Sequence, residues 1–545
     1  MNSNPATERG LLARHPRQIA HMWSRIFRGR FGLVFGAGIS KNLNLPNWKE
    51  LIKRIARDPG VRGQTILNDQ NDKQASSISQ TLFQHFAARM LQVNGAMSPG
   101  AIRRAWLDVI RKQLYKKATK PISRYYDKHP YMSRYIALIK RIPMTITYNF
   151  DDFLEQFLVE EASRNASAGV QGKPYEVLWR PDVHPRRAQG VIHHPNGFLP
   201  VNDAEPSSDG LVFCENEFAN QLMESISGRY ASLLQYFSRH TCLLIGLSLE
   251  DSTLKYLLRQ SAHLNPGYFH YLVEYEDPKK PTPKDIQDAV FEANFQVHNL
   301  ITLFLTGDEI AALGALLSMD SETLYGRARE AGNTNLNYYY YVTGVPCAGK
   351  SSSITCLRNF TTYDEWLDAR LPEMSQWPQP LKKQKIRHID EWVGRQFAQK
   401  NQILARSKDE QIGMHVLDRC MLDPMSFKIE ADRSERARSM LDSVCGGKRT
   451  ECIQDGMVVL LVGDPDTMEE RCCAAGKNFT STQLDNMQGI LKKAYKGKCL
   501  VTIDTRRKPQ HEVIRDIVRL MFVGTYKPLD IKGRLENIEK GRFPW

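Results

Sequence analysis

The chain has 545 residues, of which 42% are hydrophobic and 25% charged, with 35 Gly and 27 Pro. This composition excludes collagen-like, low-complexity and wholly disordered chains. The 74 basic and 60 acidic residues give a net charge of +14, which favours anionic partners, whether nucleotides or nucleic acids. Because the sequence has no zinc finger, no RNP-type aromatic motif and no Lys/Arg block, we expect nucleotides rather than nucleic acid.

The length predicts two to four domains that can each bury a core. The longest apolar runs, such as Met457–Val462 and Cys242–Leu247, have the length of a strand and fall well short of a membrane span. The first residues, Met1–Gln18, lack the apolar core of a signal peptide. We therefore expect a cytoplasmic protein that does not associate with a membrane.

The first half opens with a strand that runs into closely spaced glycines. The apolar strand Leu33–Phe35 is followed by Gly36–Gly38 and by a predicted helix from about Trp48 to Ala56. Glycines at such a turn let backbone amides approach a pyrophosphate, although tight turns use glycine too. Residues from about 64 to 136 predict an all-α insertion. Further strands are predicted at Met144–Tyr148, Gly190–His193, Leu211–Phe213, Thr241–Ile245 and Leu300–Phe304.

A second glycine-rich turn follows the predicted strand Tyr338–Thr343. Residues Gly344–Ser351 read GVPCAGKS, a complete phosphate-binding loop in which Lys350 would reach the phosphate oxygens and Ser351 would ligate Mg²⁺. The small polar stretch Ala331–Asn337 predicts a boundary between domains at 1–330 and 331–545. Strands of this half are predicted at Gly413–Leu417, Met457–Val462 and Leu500–Ile503. Strands alternating with helices in both halves predict α/β folds with parallel, doubly wound sheets.

Four segments of the first half, taken in chain order, resemble the SIR2-like family. They are Gly36–Ser40 with Leu45-Pro46-x-Trp48, then Thr147–Glu155, Val191–Pro200 and Leu244–Asp251. The resemblance implies a Rossmann-like domain that binds NAD⁺. The residues that it places on the dinucleotide are Gly36, Ala37, Gly38, Ile39, Ser40, Gly246, Ser248 and Asp251.

The same resemblance implies three catalytic residues. Cleavage of nicotinamide from NAD⁺ develops positive charge on the ribose, which the site must stabilise. By resemblance, Asn149 orients the ribose and water, Asp151 serves the nicotinamide end and His194 is the base; the structural alternative for the first two is helix capping. Sirtuins usually carry the histidine directly before the glycine, where this chain has Asn196. His193 is a second candidate base, and alternation along the strand puts the two neighbouring histidines on opposite faces.

The cysteines separate two classes of this family. All ten lie at or after Cys214, so the first half cannot hold the two cysteine pairs of the zinc module of sirtuin deacylases, and we expect no zinc. The helical insertion resembles the SIR2-like domains of prokaryotic anti-phage defence proteins. That resemblance implies that NAD⁺ is a consumed substrate, and it predicts a homo-oligomer, with a second defence protein as a further possible partner.

The second half resembles deoxynucleotide and thymidylate kinases. The segments that carry the resemblance are the phosphate-binding loop, Val416–Cys420 and Val458–Arg471. It implies binding of ATP or of a dNTP or dNMP, with Mg²⁺ on Ser351, through Gly344, Gly349, Lys350, Ser351, Ser352, Asp418, Arg419 and Arg471.

Two positions depart from the kinase pattern. Pro346 stands where thymidylate kinases usually have an acidic residue, and Glu365 is either the acidic base instead or an exposed charge. The predicted lid around Cys472-Cys473 is poor in arginine. This half is therefore predicted either to phosphorylate a nucleotide or only to bind one.

The leading hypothesis is an NAD⁺ hydrolase effector of anti-phage defence that forms nicotinamide and ADP-ribose. Its second half would be a nucleotide-binding, kinase-like sensor or regulator. One alternative is a deoxynucleoside monophosphate kinase with a regulatory NAD-binding domain. Another is a nucleotide-binding assembly module without catalytic activity.

Overall fold

The computed structural model describes residues 4–68, 74–118, 131–165, 173–181, 183–249, 251–376, 382–405, 408–428, 430–446, 449 and 453–545. The chain forms two compact units. The first comprises Met1–Leu11, Arg25–Asn265 and Phe269–Asp320, and the second comprises Leu12–Ser24, Pro266–Tyr268 and Ser321–Trp545. The long segments of the two units meet in sequence at Asp320, and the assignment of different functions to 1–330 and 331–545 stays a prediction.

Seven strands of the first unit form one parallel sheet. They are β1 (Phe31–Phe35), β2 (Met144–Thr147), β3 (Glu176–Leu178), β4 (Val191–His193), β5 (Thr241–Ile245), β6 (His270–Tyr275) and β7 (Leu300–Leu305). Their order across the sheet is β3-β4-β2-β1-β5-β6-β7. The strands β2 to β4 lie on one side of β1, and β5 to β7 lie on the other side. The carboxyl ends of β1 and β5 therefore form a topological switch point, which is where open α/β sheets bind ligands.

Helices alternate with the strands of this sheet along the chain, as is typical of doubly wound parallel sheets. The helices before β7 and directly after it are α1 (Pro5–Arg14), α2 (Pro16–Phe27), α3 (Trp48–Ala56), α4 (Gln64–Asn68), α5 (Ala75–Asn94), α6 (Pro99–Tyr115), α7 (Tyr131–Ile139), α8 (Phe153–Asn165), α9 (Glu215–Ile226), α10 (Ala231–Arg239), α11 (Ser252–Leu264), α12 (Lys284–His298) and α13 (Gly307–Ser318). Most of α2 belongs to the second unit. Between β1 and β2 the described residues form a 3₁₀ helix, Ala37–Leu43, and then only α-helices, α3 to α7. One core cluster joins Val34, Ile146, Leu244 and Leu272 of four strands to the apolar faces of α10 and α11.

Five parallel strands form the sheet of the second unit. They are β8 (Asn337–Thr343), β9 (Thr361–Tyr363), β10 (Gly413–Asp418), β11 (Met457–Val462) and β12 (Leu500–Asp504), in the order β12-β11-β8-β10-β9. The helices are α14 (Ser321–Glu330), α15 (Lys350–Cys356), α16 (Lys383–Leu404), α17 (Lys408–Gln411), α18 (Glu430–Cys445), α19 (Pro465–Ala474), α20 (Ser481–Ala494), α21 (Gln510–Val523) and α22 (Ile531–Glu539). The central strand β8 is the switch point of this sheet, because β9 and β10 lie to one side of it and β11 and β12 to the other.

The α/β class with parallel sheets is confirmed. One predicted strand is wrong: Leu211–Phe213 forms a turn, not a strand. The side chains of Leu211 and Phe213 are nonetheless buried, and the ring of Phe213 stacks on Trp48 at 5.8 Å, so their hydrophobicity serves packing under a loop. The prediction missed β3, β6 and β9. Among the described helices, none combines the length and the apolar composition that crossing a bilayer requires.

Candidate functional site

The loops after β1 and β5 touch each other at the switch point of the first unit. The Gly36 and Gly38 amides donate hydrogen bonds of 3.0 Å to the carbonyl oxygens of Ile245 and Gly246. A Cβ on Gly36 would lie 2.4 Å from the Gly246 oxygen, and one on Gly246, where φ is +71°, would lie 2.7 Å from the Ile39 nitrogen. These two glycines are therefore needed for the close approach of the loops. Ala37 and Gly38 are exposed beside this contact, while Ile39 and Ser40 are buried.

Asn149 joins the end of β2 to the first glycine loop. Its side-chain nitrogen donates to the carbonyl oxygen of Gly36 at 3.2 Å and to the hydroxyl of Ser40 at 3.1 Å. Strands β1 and β2 are parallel neighbours with Phe35 opposite Thr147. Residues that follow the two strands therefore reach the same edge of the sheet, and the predicted ribose-binding residue does lie against the predicted dinucleotide loop.

Asp151 is a buried carboxyl group in the same cluster. One oxygen accepts a hydrogen bond of 3.4 Å from Ser40, and the other accepts one of 3.2 Å from the backbone N–H of Phe153, at the start of α8. Burial, reinforced by the neighbouring Asp152 and Glu155, raises the pKa of Asp151 to about 7. Asp151 thus makes a capping contact and also presents an acid that titrates near neutral pH.

Both ring nitrogens of His194 are occupied by protein groups. Nδ1 lies 2.9 Å from the carbonyl oxygen of Asn149, and Nε2 lies 2.8 Å from the carboxylate of Glu155. Both partners are acceptors, and the ring donates to both only when each nitrogen carries a proton. Burial alone would lower the pKa of His194, but the Glu155 carboxylate and the Asn149 carbonyl raise it. The predicted base is thus adjacent to Asn149, with no ring nitrogen facing open space.

The other two candidates for the base are also buried. Burial lowers the pKa of His193 to about 3, which keeps its imidazole neutral, and its Nε2 has no hydrogen-bond partner among the described residues. Asn196 donates to Asp251 at 3.2 Å and accepts from Gln221 at 3.1 Å. Asp251 in turn caps α11 by accepting from the N–H of Leu254 at 2.8 Å. The amide of Asn196 thus joins the histidine-containing segment to the loop after β5.

Residues 143–298 match the family model described as a SIR2-like domain. The match begins just before β2 and includes Asn149, Asp151, His194 and Asp251, whereas Gly36–Ser40 lie before it. SIR2-like domains bind NAD⁺ and are generally NAD-dependent enzymes, so this match suggests an NAD-related activity. No curated protein matches the chain.

The first unit holds two functional candidates that the sequence analysis did not assign, of which only Glu155 lies within the matched residues 143–298. Glu155 belongs to the segment Thr147–Glu155 and lies in the first turn of α8, whereas Asp151 precedes that helix. Tyr115 comes from the helical insertion, and its hydroxyl lies 2.8 Å from the Asp152 carboxylate and 2.8 Å from the Leu199 carbonyl. No local signal indicated Tyr115, because it is 37 residues from Asp152 in sequence. Ser248, which was predicted to bind the dinucleotide, is exposed on the loop after β5.

The second unit places its phosphate-binding sequence directly after the central strand β8. Gly344 and Gly349 have φ angles of +150° and +97°, which favour glycine. The Lys350 ammonium is buried and donates to the carbonyl oxygens of Gly344 and Val345 at 2.8 and 2.9 Å. The predicted ligand Ser352 is exposed in the first turn of α15.

Ser351 and Asp418 form the pair expected of a magnesium site. The Ser351 hydroxyl donates to one Asp418 carboxylate oxygen at 3.1 Å, and the other oxygen is buried without a hydrogen-bond partner among the described residues. Asp418 ends β10, which pairs with β8. A serine of the phosphate loop and an aspartate at the end of the adjacent strand hold Mg²⁺ in phosphate-loop proteins. The residues present therefore fit this cation.

Arg419 and Glu365 form an ion pair beside this serine and aspartate. Burial alone would raise the pKa of Glu365, but the Arg419 and Lys350 charges lower it to about 2. The Glu365 side chain is 26% exposed and paired with Arg419, so it is not the freely exposed charge that the sequence also allowed. The predicted ligand Arg471 is exposed on α19 and makes no ion pair within the described part of the chain. 

Lys400 is a buried cation that the sequence analysis missed. It lies on α16, and its ammonium donates to the carbonyl oxygens of Glu365 at 2.7 Å and Asp418 at 3.1 Å. Burial lowers the pKa of Lys400 to about 8. Lys400 thereby ties together the two segments that carry Glu365 and Asp418.

Proposed function

We propose that the first unit hydrolyses NAD⁺ to nicotinamide and ADP-ribose. The observation that carries this proposal is the cluster of Asn149, Ser40 and Asp151 against the glycine loop, at the switch point of a sheet whose chain matches a SIR2-like domain. A hydrolase is preferred to a deacylase because the chain has no cysteine before Cys214 for the deacylase zinc module.

The chemistry follows from the charge that develops during cleavage. As the bond to nicotinamide breaks, the ribose gains oxocarbenium character, and a carboxylate or an oriented amide nearby stabilises it. In this proposal the backbone of Gly36–Gly38 receives the pyrophosphate, Asn149 orients the ribose hydroxyl or the attacking water, and Asp151 faces the nicotinamide end. The product is ADP-ribose when water attacks the anomeric carbon, with nicotinamide as the leaving group.

Two histidines are candidates for the proton acceptor. His194 acts as base only if it releases the Asn149 carbonyl or Glu155, since each ring nitrogen has a partner. His193 has an Nε2 without a hydrogen-bond partner among the described residues, but alternation along the strand puts it on the face opposite to that of His194. Asn196 cannot accept a proton at neutral pH. Comparison of His193→Gln with His194→Gln in the assay below distinguishes the two histidines.

In the same proposal the second unit is a nucleotide sensor or regulator within a cytoplasmic, homo-oligomeric anti-phage effector, with a second defence protein as a further partner. Its support is the phosphate loop, together with Ser351 and Asp418, which would hold Mg²⁺ with ATP, a dNTP or a dNMP. Regulation requires that the bound nucleotide have different affinities for the active and inactive states of the protein.

The test is release of nicotinamide from NAD⁺ by the purified full chain, measured by chromatography with and without a mixture of ATP, dNTPs and dNMPs. We expect turnover in the wild type and at least a 100-fold loss in Asn149→Ala. Asn216→Ala, at an exposed position of α9, is the matched control and should retain activity. Tight NAD⁺ binding without turnover under any condition would contradict hydrolysis and favour the assembly-module alternative.

A second candidate function is a deoxynucleoside monophosphate kinase in the second unit. The Glu365–Arg419 pair, which lies beside Ser351 and Asp418, favours this function. Phosphoryl transfer needs an acidic group next to the acceptor hydroxyl and a cation next to the migrating phosphoryl group, which is negatively charged. It predicts ADP formation with a dNMP acceptor, lost in Glu365→Gln while ATP binding remains. Absence of ADP formation with all four dNMPs would exclude it.

A further inference from the structure

The carboxyl-terminal part of the second unit forms an open cavity of about 560 Å³ that has no part in the sites described above. Its walls come from the end of α20, from α22 and from the last residues of the chain. The lining residues are Lys493, Lys496, Arg534, Asn537, Arg542, Phe543, Pro544 and Trp545. Cavities of this size accommodate a nucleotide-sized ligand.

Four of the lining side chains are cations, and none of the lining side chains is acidic. Within the part of the chain that the structure describes, none of these four cations forms an ion pair. The Arg534 guanidinium donates to the Lys496 carbonyl oxygen at 3.1 Å, which fixes two of the walls to each other. Glu539, an acid on α22, is already paired with Arg449 and Arg438. The net positive charge of this concave site favours a bound anion.

Aromatic rings stand beside these cations. The rings of Phe543 and Trp545 meet edge to face at 4.8 Å. The Arg534 guanidinium lies 5.5 Å from the centre of the Phe543 ring, and the Arg433 guanidinium lies 4.1 Å from the centre of the Trp545 ring. Cation–π contacts of this kind hold planar groups in place. Planar rings next to Lys and Arg are what a ligand with both a base and a phosphate requires.

The cavity lies at the edge of the sheet away from the phosphate loop. Lys493 and Lys496 precede β12, so they approach the amino end of that strand, whereas Gly344–Ser351 follow the carboxyl end of β8. Strands β12 and β8 run parallel in one sheet, with β11 between them. The amino and carboxyl ends of parallel strands form opposite edges.

We propose that this cavity is a second binding site for a phosphorylated ligand with a planar base, separate from the phosphate loop. Such chemistry is shared by free nucleotides and by single-stranded nucleic acid, and the experiment distinguishes these sources. The proposal does not depend on NAD⁺ hydrolysis or on kinase activity.

The experiment measures binding of fluorescently labelled ATP and of a labelled ten-residue oligo(dT) to the full chain. The background is Lys350→Ala, which weakens the phosphate loop. We expect residual binding that falls at least 10-fold when Lys493→Glu and Arg542→Glu are added, and that weakens as salt is raised. Lys492→Glu is the matched control: it changes the neighbouring exposed lysine in the same turn of α20, outside the cavity, and should leave binding unchanged.

The outcomes decide both the site and its source. Residual ATP binding that the double substitution removes supports a nucleotide site, and oligo(dT) binding that it removes, with a steep salt dependence, assigns the site to single-stranded nucleic acid. Inorganic phosphate competing as well as ATP would overturn recognition of the base. No residual binding, or equal losses with Lys492→Glu, would overturn the site itself. Thermal unfolding of each variant checks the fold, which these exposed positions should leave intact.

Discussion

The imidazole of His194 and the carboxylate of Glu155 form a pair that is closed to solvent. Nε2 and Oε1 are 2.8 Å apart, and the two side chains are 0% and 2% exposed. The other ring nitrogen contacts the backbone of Asn149. The pair therefore connects α8 and the segment after β4 to the residue proposed to bind the ribose, and it places a charge-assisted hydrogen bond in the interior.

Removal of one partner of this pair should destabilise the first unit strongly. We expect Glu155→Ala to lower the free energy of unfolding by about 3–5 kcal/mol, because it leaves a buried imidazolium without its counter-ion. Glu160→Ala is the matched control on the same helix: Glu160 pairs with Arg164 at 2.7 Å, with the two side chains 25% and 36% exposed. That exposed pair should contribute no more than about 1 kcal/mol. Urea denaturation measures both, and equal effects would contradict the role given to burial.

The same pair predicts how stability depends on pH. The Glu155 carboxylate and the Asn149 carbonyl raise the pKa of His194 in the folded state above the value of about 6.5 for an unfolded chain. The resulting stabilisation is complete below about pH 6.5 and is lost as the pH rises through the raised value. In urea titrations at several pH values, His194→Gln should remove this part of the pH dependence. If the pH dependence of stability were unchanged in His194→Gln, another titratable group would be responsible for it.

The pKa of Asp151 predicts a pH profile for NAD⁺ turnover. Because burial raises this pKa to about 7, the carboxylate fraction grows as the pH rises through neutrality. If the carboxylate stabilises the ribose cation, the rate should rise with an apparent pKa near 7, and Asp151→Asn should give a lower rate without that step. Asp108→Asn, at a side chain that is 70% exposed, is the control. A step that persists in Asp151→Asn would exclude this role.

The contact between the two loops at the first switch point can be tested with a pair of glycines. Gly246 and Gly29 have similar backbones, with φ of +71° and +63°, but a Cβ would meet the Gly38–Ile39 backbone at Gly246 and nothing within 4 Å at Gly29. Both alanine variants should lose about 1–2 kcal/mol from backbone strain. Only Gly246→Ala should lose more and also weaken NAD⁺ binding, as measured by calorimetry. Equal NAD⁺ affinities would contradict dinucleotide binding at this loop.

Lys350 should govern nucleotide binding by the second unit. Its ammonium now bonds two carbonyl oxygens of the phosphate loop, and burial, with the charge of Arg419, lowers its pKa to about 8. We expect Lys350→Ala to weaken binding of Mg-ATP at this loop about 10- to 100-fold, the effect of losing hydrogen bonds to charged phosphates. Lys492→Ala, at an exposed position of α20, should not weaken it. Full affinity in Lys350→Ala would exclude the loop as the nucleotide site.

The local sequence was sufficient to predict those strands whose formation depends on neighbouring residues. The apolar runs Thr241–Ile245 and Met457–Val462 are strands with the predicted bounds, because a strand buried on both faces is apolar throughout. Short strands such as β3 and β9, with three residues each, have too little periodicity to be recognised. Leu211–Phe213 shows the converse error, since apolar side chains also cover a core from a turn.

Sequence by itself determined the parallel α/β class and the two glycine-rich turns after strands, because each depends on residues close together in the chain. The assignment of Asn149 and Asp151 to the site came from the family resemblance. In the structure Asn149 reaches Gly36, 113 positions away, because the parallel strands β1 and β2 end at one edge of the sheet. Only the tertiary structure decided the partners of His194, the link from Asn196 to Asp251 and the burial of Lys400. Those contacts join residues 18 to 55 positions apart. Their polar groups are held away from water by packing that no local pattern encodes.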